Sequence, residues 1–148
     1  MGPQVALELN WEGGIVAAAR KNQGPVEPSM WVYHLPGGWI VMAGKTDRDN
    51  DFLSIKYARP DDWWFHVRGT PGSHVLLRHE DGEEAGKEEL QAAAAVAAWH
   101  SKMRQGGQVA VSATLARNVS KPRGAKPGTV HIRKEQVVKA RPGLPSED

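Results

Sequence analysis

Only one stretch of this sequence carries a long helical signature, and that does most to limit what the chain can become. From about Lys87 to Gln105 the chain is rich in alanine, with Glu88 and Glu89 at its start and Lys102 and Arg104 at its end. Those charges suit the helix dipole, and Gly106-Gly107 supplies a stop signal. Ala92, Val96, Trp99 and Met103 are spaced as one buried stripe. Elsewhere the apolar residues come in short β-rich runs: Trp31–Leu35, Trp39–Ala43, Trp63–Val67, Ser73–Arg78, Gln108–Thr114, Thr129–Arg133 and Val137–Lys139. One helix among such runs, with no βαβ alternation and no repeat, predicts an α+β fold. The sheet is mostly antiparallel, built from hairpins, with the helix packed on it.

Local signals place the joints. Pro36-Gly37-Gly38 makes the first run and the second a hairpin, and residues 68–72 link the second pair. Asn50 is expected to cap a short helix over residues 51–57, which Pro60 ends by pushing its predecessor out of the α region. Residues 1–30, interrupted by Gly13-Gly14, Gly24-Pro25 and Pro28, read as an arm or linker with a helical turn over Ile15–Arg20. The domain is expected over 31–140, with a C-terminal tail over 141–148. A chain of 148 residues, 40% of them apolar, can bury one core. It has no cysteine, which excludes disulfides and thiolate zinc sites. Its longest apolar run, Ala92 to Trp99, falls far short of the ~20 residues of a membrane span. The N-terminus lacks the parts of a secretory signal, and the expected setting is cytoplasmic.

The net charge is only +2, yet the charges are segregated. Arg117, Lys121, Arg123, Lys126, Arg133, Lys134, Lys139 and Arg141 face one acid, Glu135, while residues 80–89 are strongly acidic. A positive pole of this kind suits a polyanion, although two solvated loops would show the same composition.

Residues 62–68, Asp-Trp-Trp-Phe-His-Val-Arg, are the most informative. Strand alternation puts Trp63, Phe65 and Val67 on a core face and Asp62, Trp64, His66 and Arg68 on the other. His74 then falls beside His66 in the next strand. One reading is a platform that stacks an unpaired base on Trp64 and fixes its edge with Asp62, His66 and His74. The other makes Trp64 a second core residue, with His66 held by Asp62. Ser73 and His74 point to opposite faces and so form no catalytic dyad. Asp62, His66 and His74 lack a recognisable ligand spacing, so neither metal nor cofactor is expected. Asp47, Asp49 and Asp51 mimic the start of a calcium loop, but Phe52 and Ala58 occupy positions that require Gly and Glu. Residues 121–128, Lys-Pro-Arg-Gly-Ala-Lys-Pro-Gly, form a rigid basic turn suited to phosphates, without the order of a P-loop.

These motifs together resemble the NFACT-R domain. The likeness runs through Gly44-Lys45, Asn50-Asp51-x-Leu53, Asp62-x-Trp64-Phe65-His66 and Pro71-Gly72-Ser73-His74-Val75. It continues through Ser101-Lys102, Val109-x-Val111, Thr114, Val119-x-Lys121 and Gly124-Ala125-Lys126-Pro127-Gly128-x-Val130. It covers about residues 31–140, in order. The resemblance implies RNA binding in ribosome quality control, with tRNA or ribosomal RNA, and the large ribosomal subunit, as partners. It implies an RNA site made of Lys45, Asn50, Asp51, Asp62, Trp64, His66, Ser73, His74, Lys121 and Lys126; Arg123 joins these on charge alone. The chain is similar to a standalone single-domain form, without the N-terminal domain, helix-hairpin-helix and coiled coil of the full factors. Ala113 departs from the family, which often has an aromatic residue there. The expectation is a non-enzymatic RNA-binding domain. The competing readings are an RNA-processing or RNA-modifying enzyme using Asp62, His66 and His74, and a DNA- or protein-interaction module using the basic surface.

Overall fold

The structure is a computed structural model and describes residues 27–146. The helical turn expected over Ile15–Arg20, with most of the expected arm, lies outside the described residues. Strands β1 (Met30–Leu35) and β2 (Trp39–Gly44) form the first hairpin, in register from Leu35 opposite Trp39 to Met30 opposite Gly44. Helix α1 (Asp47–Phe52) follows and runs into a π-helical turn over Leu53–Tyr57. Then come β3 (Trp63–Val67), β4 (Val75–His79), α2 (Lys87–Trp99) and β5 (Val109–Leu115). The chain closes with β6 (Val119–Ser120), β7 (His131–Ile132) and β8 (Gln136–Ala140).

Six strands make the main sheet in the order β1-β2-β4-β3-β5-β8, each neighbouring pair antiparallel. The α+β architecture expected from the sequence is therefore present. The run expected as a strand over Thr129–Arg133 shrinks to two residues and never joins the main sheet. It pairs with β6 instead, as a small ribbon. Among the described residues, no helix is long and apolar enough to cross a membrane.

Alternate residues of β3 enter two different cores. Phe65 and Val67 meet α2 through its buried Ala93, Ala94, Val96, Ala97 and Ala98, together with Val41, Val75 and Val111. The small alanine side chains let the helix lie close on the sheet. On the opposite face Trp64 joins Met42, Leu53 and Leu76 under Val119, Val130 and Ile132.

The helix ends earlier than its composition predicts. Gly72 forms an antiparallel bridge with Ser101, and Ser73 N–H donates to His100 O at 2.9 Å. These contacts draw the chain out of the helix after Trp99. A Cβ on Gly72 would lie 2.7 Å from Ser101 Cβ, so the bridge needs glycine. The predicted stripe shifts accordingly, and Met103 lies beyond the helix, 39% exposed.

Helix α1 also begins one turn before the expected site. Thr46, not Asn50, is its N-cap, in a capping box with Asp49. Asn50 is buried, and its Oδ1 accepts His74 N–H at 3.0 Å. A Cβ on Gly44 would lie 2.2 Å from that same Oδ1. Gly44→Ala should therefore cost about 1–3 kcal/mol through overpacking, read as a lower midpoint in urea denaturation.

Candidate nucleic-acid interface

Asp62 ends in a buried ion pair. Arg78 Nε donates to its Oδ1 at 3.0 Å and Arg78 Nη2 to its Oδ2 at 2.8 Å, both side chains being buried. Arg59 N–H also donates to Oδ2, at 2.9 Å. Burial disfavours the guanidinium charge, but the hydrogen bonds and charge of Asp62 outweigh it and raise the pKa of Arg78. Asp62 thus holds Arg78, and the alternative in which it holds His66 is corrected. The physical reason is that Arg78 lies on the same sheet face and offers a fork of donors that matches a carboxylate. Asp62→Ala should lower stability by about 3–5 kcal/mol, because it leaves a buried guanidinium unpaired; urea denaturation would measure this.

Trp64, 2% exposed, is wall rather than open platform. Its indole N–H donates to Ser54 Oγ at 2.8 Å. Ser54 Oγ lies 2.7 Å from His74 Nδ1, and His74 Nε2 lies 3.1 Å from Gly128 O. A carbonyl only accepts, so Nε2 carries the proton. Ser54, having accepted from Trp64, donates its own proton to Nδ1. Both ends thus assign a single neutral tautomer. Burial, with the neighbouring His66 imidazole, pushes the His74 pKa down to about 4. His66 packs edge-on against His74, with ring centroids 5.3 Å apart, and burial lowers its pKa as well.

The sign of the resulting pH dependence is fixed. An unfolded imidazole, with a pKa of 6.5, binds its proton before the folded one does. Stability is therefore complete above that value and declines as pH falls toward about 4. Between about pH 7 and pH 5, denaturation midpoints should fall more steeply in the wild type than in His74→Asn.

The basic loop is tied to this network from beneath. Lys121 Nζ donates to Lys126 O at 2.7 Å and Thr129 O at 2.9 Å, and pairs with Asp51 at 3.3 Å. Asp51 also accepts Gly128 N–H at 3.0 Å. Lys121 is thus drawn inward as a brace, while Arg123 and Lys126 are exposed. Beside the loop lies a cleft of 330 Å³ lined by Trp64, His66, Arg68, Ser112, Gly128 and Thr129.

The sequence-predicted residues therefore fall into groups. Asn50, Asp51, Trp64, His66, His74 and Lys121 form one connected system beneath the loop that carries Arg123 and Lys126. Ser73 turns the other way, its hydroxyl donating to Gly44 O at 2.6 Å. Lys45 lies beside Trp31, its Nζ 5.3 Å from the ring centroid. Asp62 is committed to Arg78, so it does not converge with His66 and His74 on a shared substrate atom. Sequence reasoning missed Ser54 and Arg78. Ser54 carries no motif of its own; the Arg78 signal was its position on the strand face shared with Asp62.

Residues 30–134 match the model of the NFACT protein RNA binding domain, and the chain belongs to that family. It is 36% identical over 119 residues to the Rqc2 homolog RqcH of Bacillus subtilis, covering 80% of this chain and 20% of that protein. The Rqc2 homolog RqcH of Streptococcus suis is 36% identical over 106 residues, 72% of this chain and 19% of that protein. The chain thus spans about a fifth of the length of these curated relatives. Among solved structures, the C-terminal part of the fibronectin/fibrinogen-binding protein from Streptococcus suis superposes with a TM-score of 0.71 at 32% identity. That match covers 84% of this chain and 49% of the other.

Proposed function

We propose that this chain is an RNA-binding module of ribosome quality control. It takes tRNA or ribosomal RNA at the large ribosomal subunit in the cytoplasm, and residues 31–140 form the binding unit. The observation that carries this reading is the braced loop. Asp51, His74 and Lys121 hold residues 121–129 from within, through Gly128, Lys126 and Thr129. A loop held this way presents Arg123 and Lys126 at little further entropic cost on binding. The cleft beside it can admit the edge of an unpaired base against His66 and Ser112. In this reading Trp64, His74 and Lys121 act by positioning the contact surface.

Fluorescence anisotropy with labelled tRNA, single-stranded RNA and matched duplex DNA, at two salt concentrations, tests it. Structured RNA should be preferred, and the preference should survive the higher salt. Arg123→Ala and Lys126→Ala should each weaken binding and reduce the salt slope by about one unit or less. Equal, steeply salt-sensitive binding to all three ligands would reduce the site to a general basic patch. Capture of a ribosomal protein without RNA affinity would replace the RNA reading altogether.

A further inference from the structure

A second groove, of 480 Å³, opens between the β2–α1 junction, residues 71–73 and the turn that follows α2. Its volume falls within the range of about 300–1,000 Å³ typical of sites for small organic ligands. Three cationic side chains line it, Lys45, Lys102 and Arg104, against one acid, Asp47. Its aromatic wall is Trp31, which stands 37% exposed on an edge strand.

This indole is held in place. Trp31 stacks on His100 with ring centroids 4.1 Å apart and planes 13° from parallel. The imidazole is in turn fixed by Tyr33, whose hydroxyl lies 2.7 Å from His100 Nε2. Burial and the nearby Arg104 push the His100 pKa down to about 4. The aromatic wall is thus uncharged at neutral pH. Arg104 is fixed as well: its Nε donates to Trp99 O at 2.7 Å and its guanidinium lies 4.4 Å from the Trp99 ring centroid.

A rigid aromatic plane next to clustered cations is what a single-stranded nucleic acid requires: a π-face for the base and positive charge for the phosphates beside it. We infer that this groove holds an unpaired nucleotide of an RNA strand, its base on Trp31 and its phosphates on Lys45, Lys102 and Arg104. The inference rests on the RNA-binding reading and adds a second contact region, separate from the 121–129 loop. Lys45 has the flexible stem needed to leave the indole for a phosphate as the base arrives. A protein partner is less well matched, because the groove offers cations and one stacked Trp31–His100 pair in place of a contiguous apolar patch.

Anisotropy on the full chain with two probes, a short labelled oligoadenylate and a tRNA, tests the inference. Trp31→Ala should weaken oligoadenylate binding about 5- to 150-fold, the loss expected for one stacked base. Trp31→Phe should retain most of the affinity, since any aromatic face stacks. Lys102→Ala should lower the single-strand salt slope by about 0.7. Because Lys102 is exposed, this variant decides the matter even if Trp31→Ala disturbs the β1 edge. Wild-type affinity for both probes in Trp31→Ala and Lys102→Ala, with Arg123→Ala still impaired, would overturn the groove and leave the RNA reading standing. If those two variants instead lost only binding to a ribosomal protein, the groove would belong to a protein partner. A wild-type chain that binds neither probe would overturn both readings.

Discussion

The His74 imidazole is where three distant parts of the chain are made to agree. Its Nδ1 meets Ser54 of the π-helical turn, its Nε2 meets Gly128 of the basic loop, and its backbone N–H meets Asn50 of α1. Each contact is an ordinary hydrogen bond, worth about 0.5–1.5 kcal/mol net. Their joint effect is larger, because each partner is buried or part-buried and would be costly to leave unpaired. Without this node the turn that covers Trp64 and the loop that carries Arg123 would be tied by polar contacts chiefly through Asp51, which accepts from Gly128 and pairs with Lys121. The covering turn and the outer loop thus share one ring as a contact.

This arrangement divides the polar residues by direction. Asp51, Asp62, His74, Arg78 and Lys121 spend their hydrogen bonds inside the protein. Arg123, Lys126, Lys102 and Lys45 present charge to solvent. Both sets look alike in a sequence, since each consists of charged or polar residues within recognisable motifs. Chemistry at the surface depends on the second set, and the position of that surface depends on the first.

Much of the architecture was legible from local pattern. The hairpin about Pro36-Gly37-Gly38, the β3–β4 pair and the alanine-rich helix follow from turn residues and periodicity. The neighbouring placement of His66 and His74 follows from strand alternation. What local pattern could not supply was the far side of each contact. Alternation shows that Trp64 faces away from Phe65, but burial there depends on Leu53, Val130 and Ile132 folding over it. The end of α2 is set by Gly72, far away in sequence, and not by Gly106-Gly107. The cap of α1 is a different case. Thr46 and Asp49 have capping-box spacing, but Asn50 is also a favoured cap residue, and local pattern does not choose between them. For Lys121, composition shows the charge but not that Asp51 and two carbonyls lie within its reach.

The early end of α2 has an electrical consequence. A helix finishes with unsatisfied carbonyls and about half a negative charge, which by itself repels a phosphate. Here that terminus lies beside the groove, and Arg104 sits directly on the final carbonyl, that of Trp99. The arginine therefore does two things at one place: it masks a repulsive pole and replaces it with an attractive one. The local field at this corner of the molecule takes its sign from Arg104 at the helix end together with Lys45 and Lys102 across the groove.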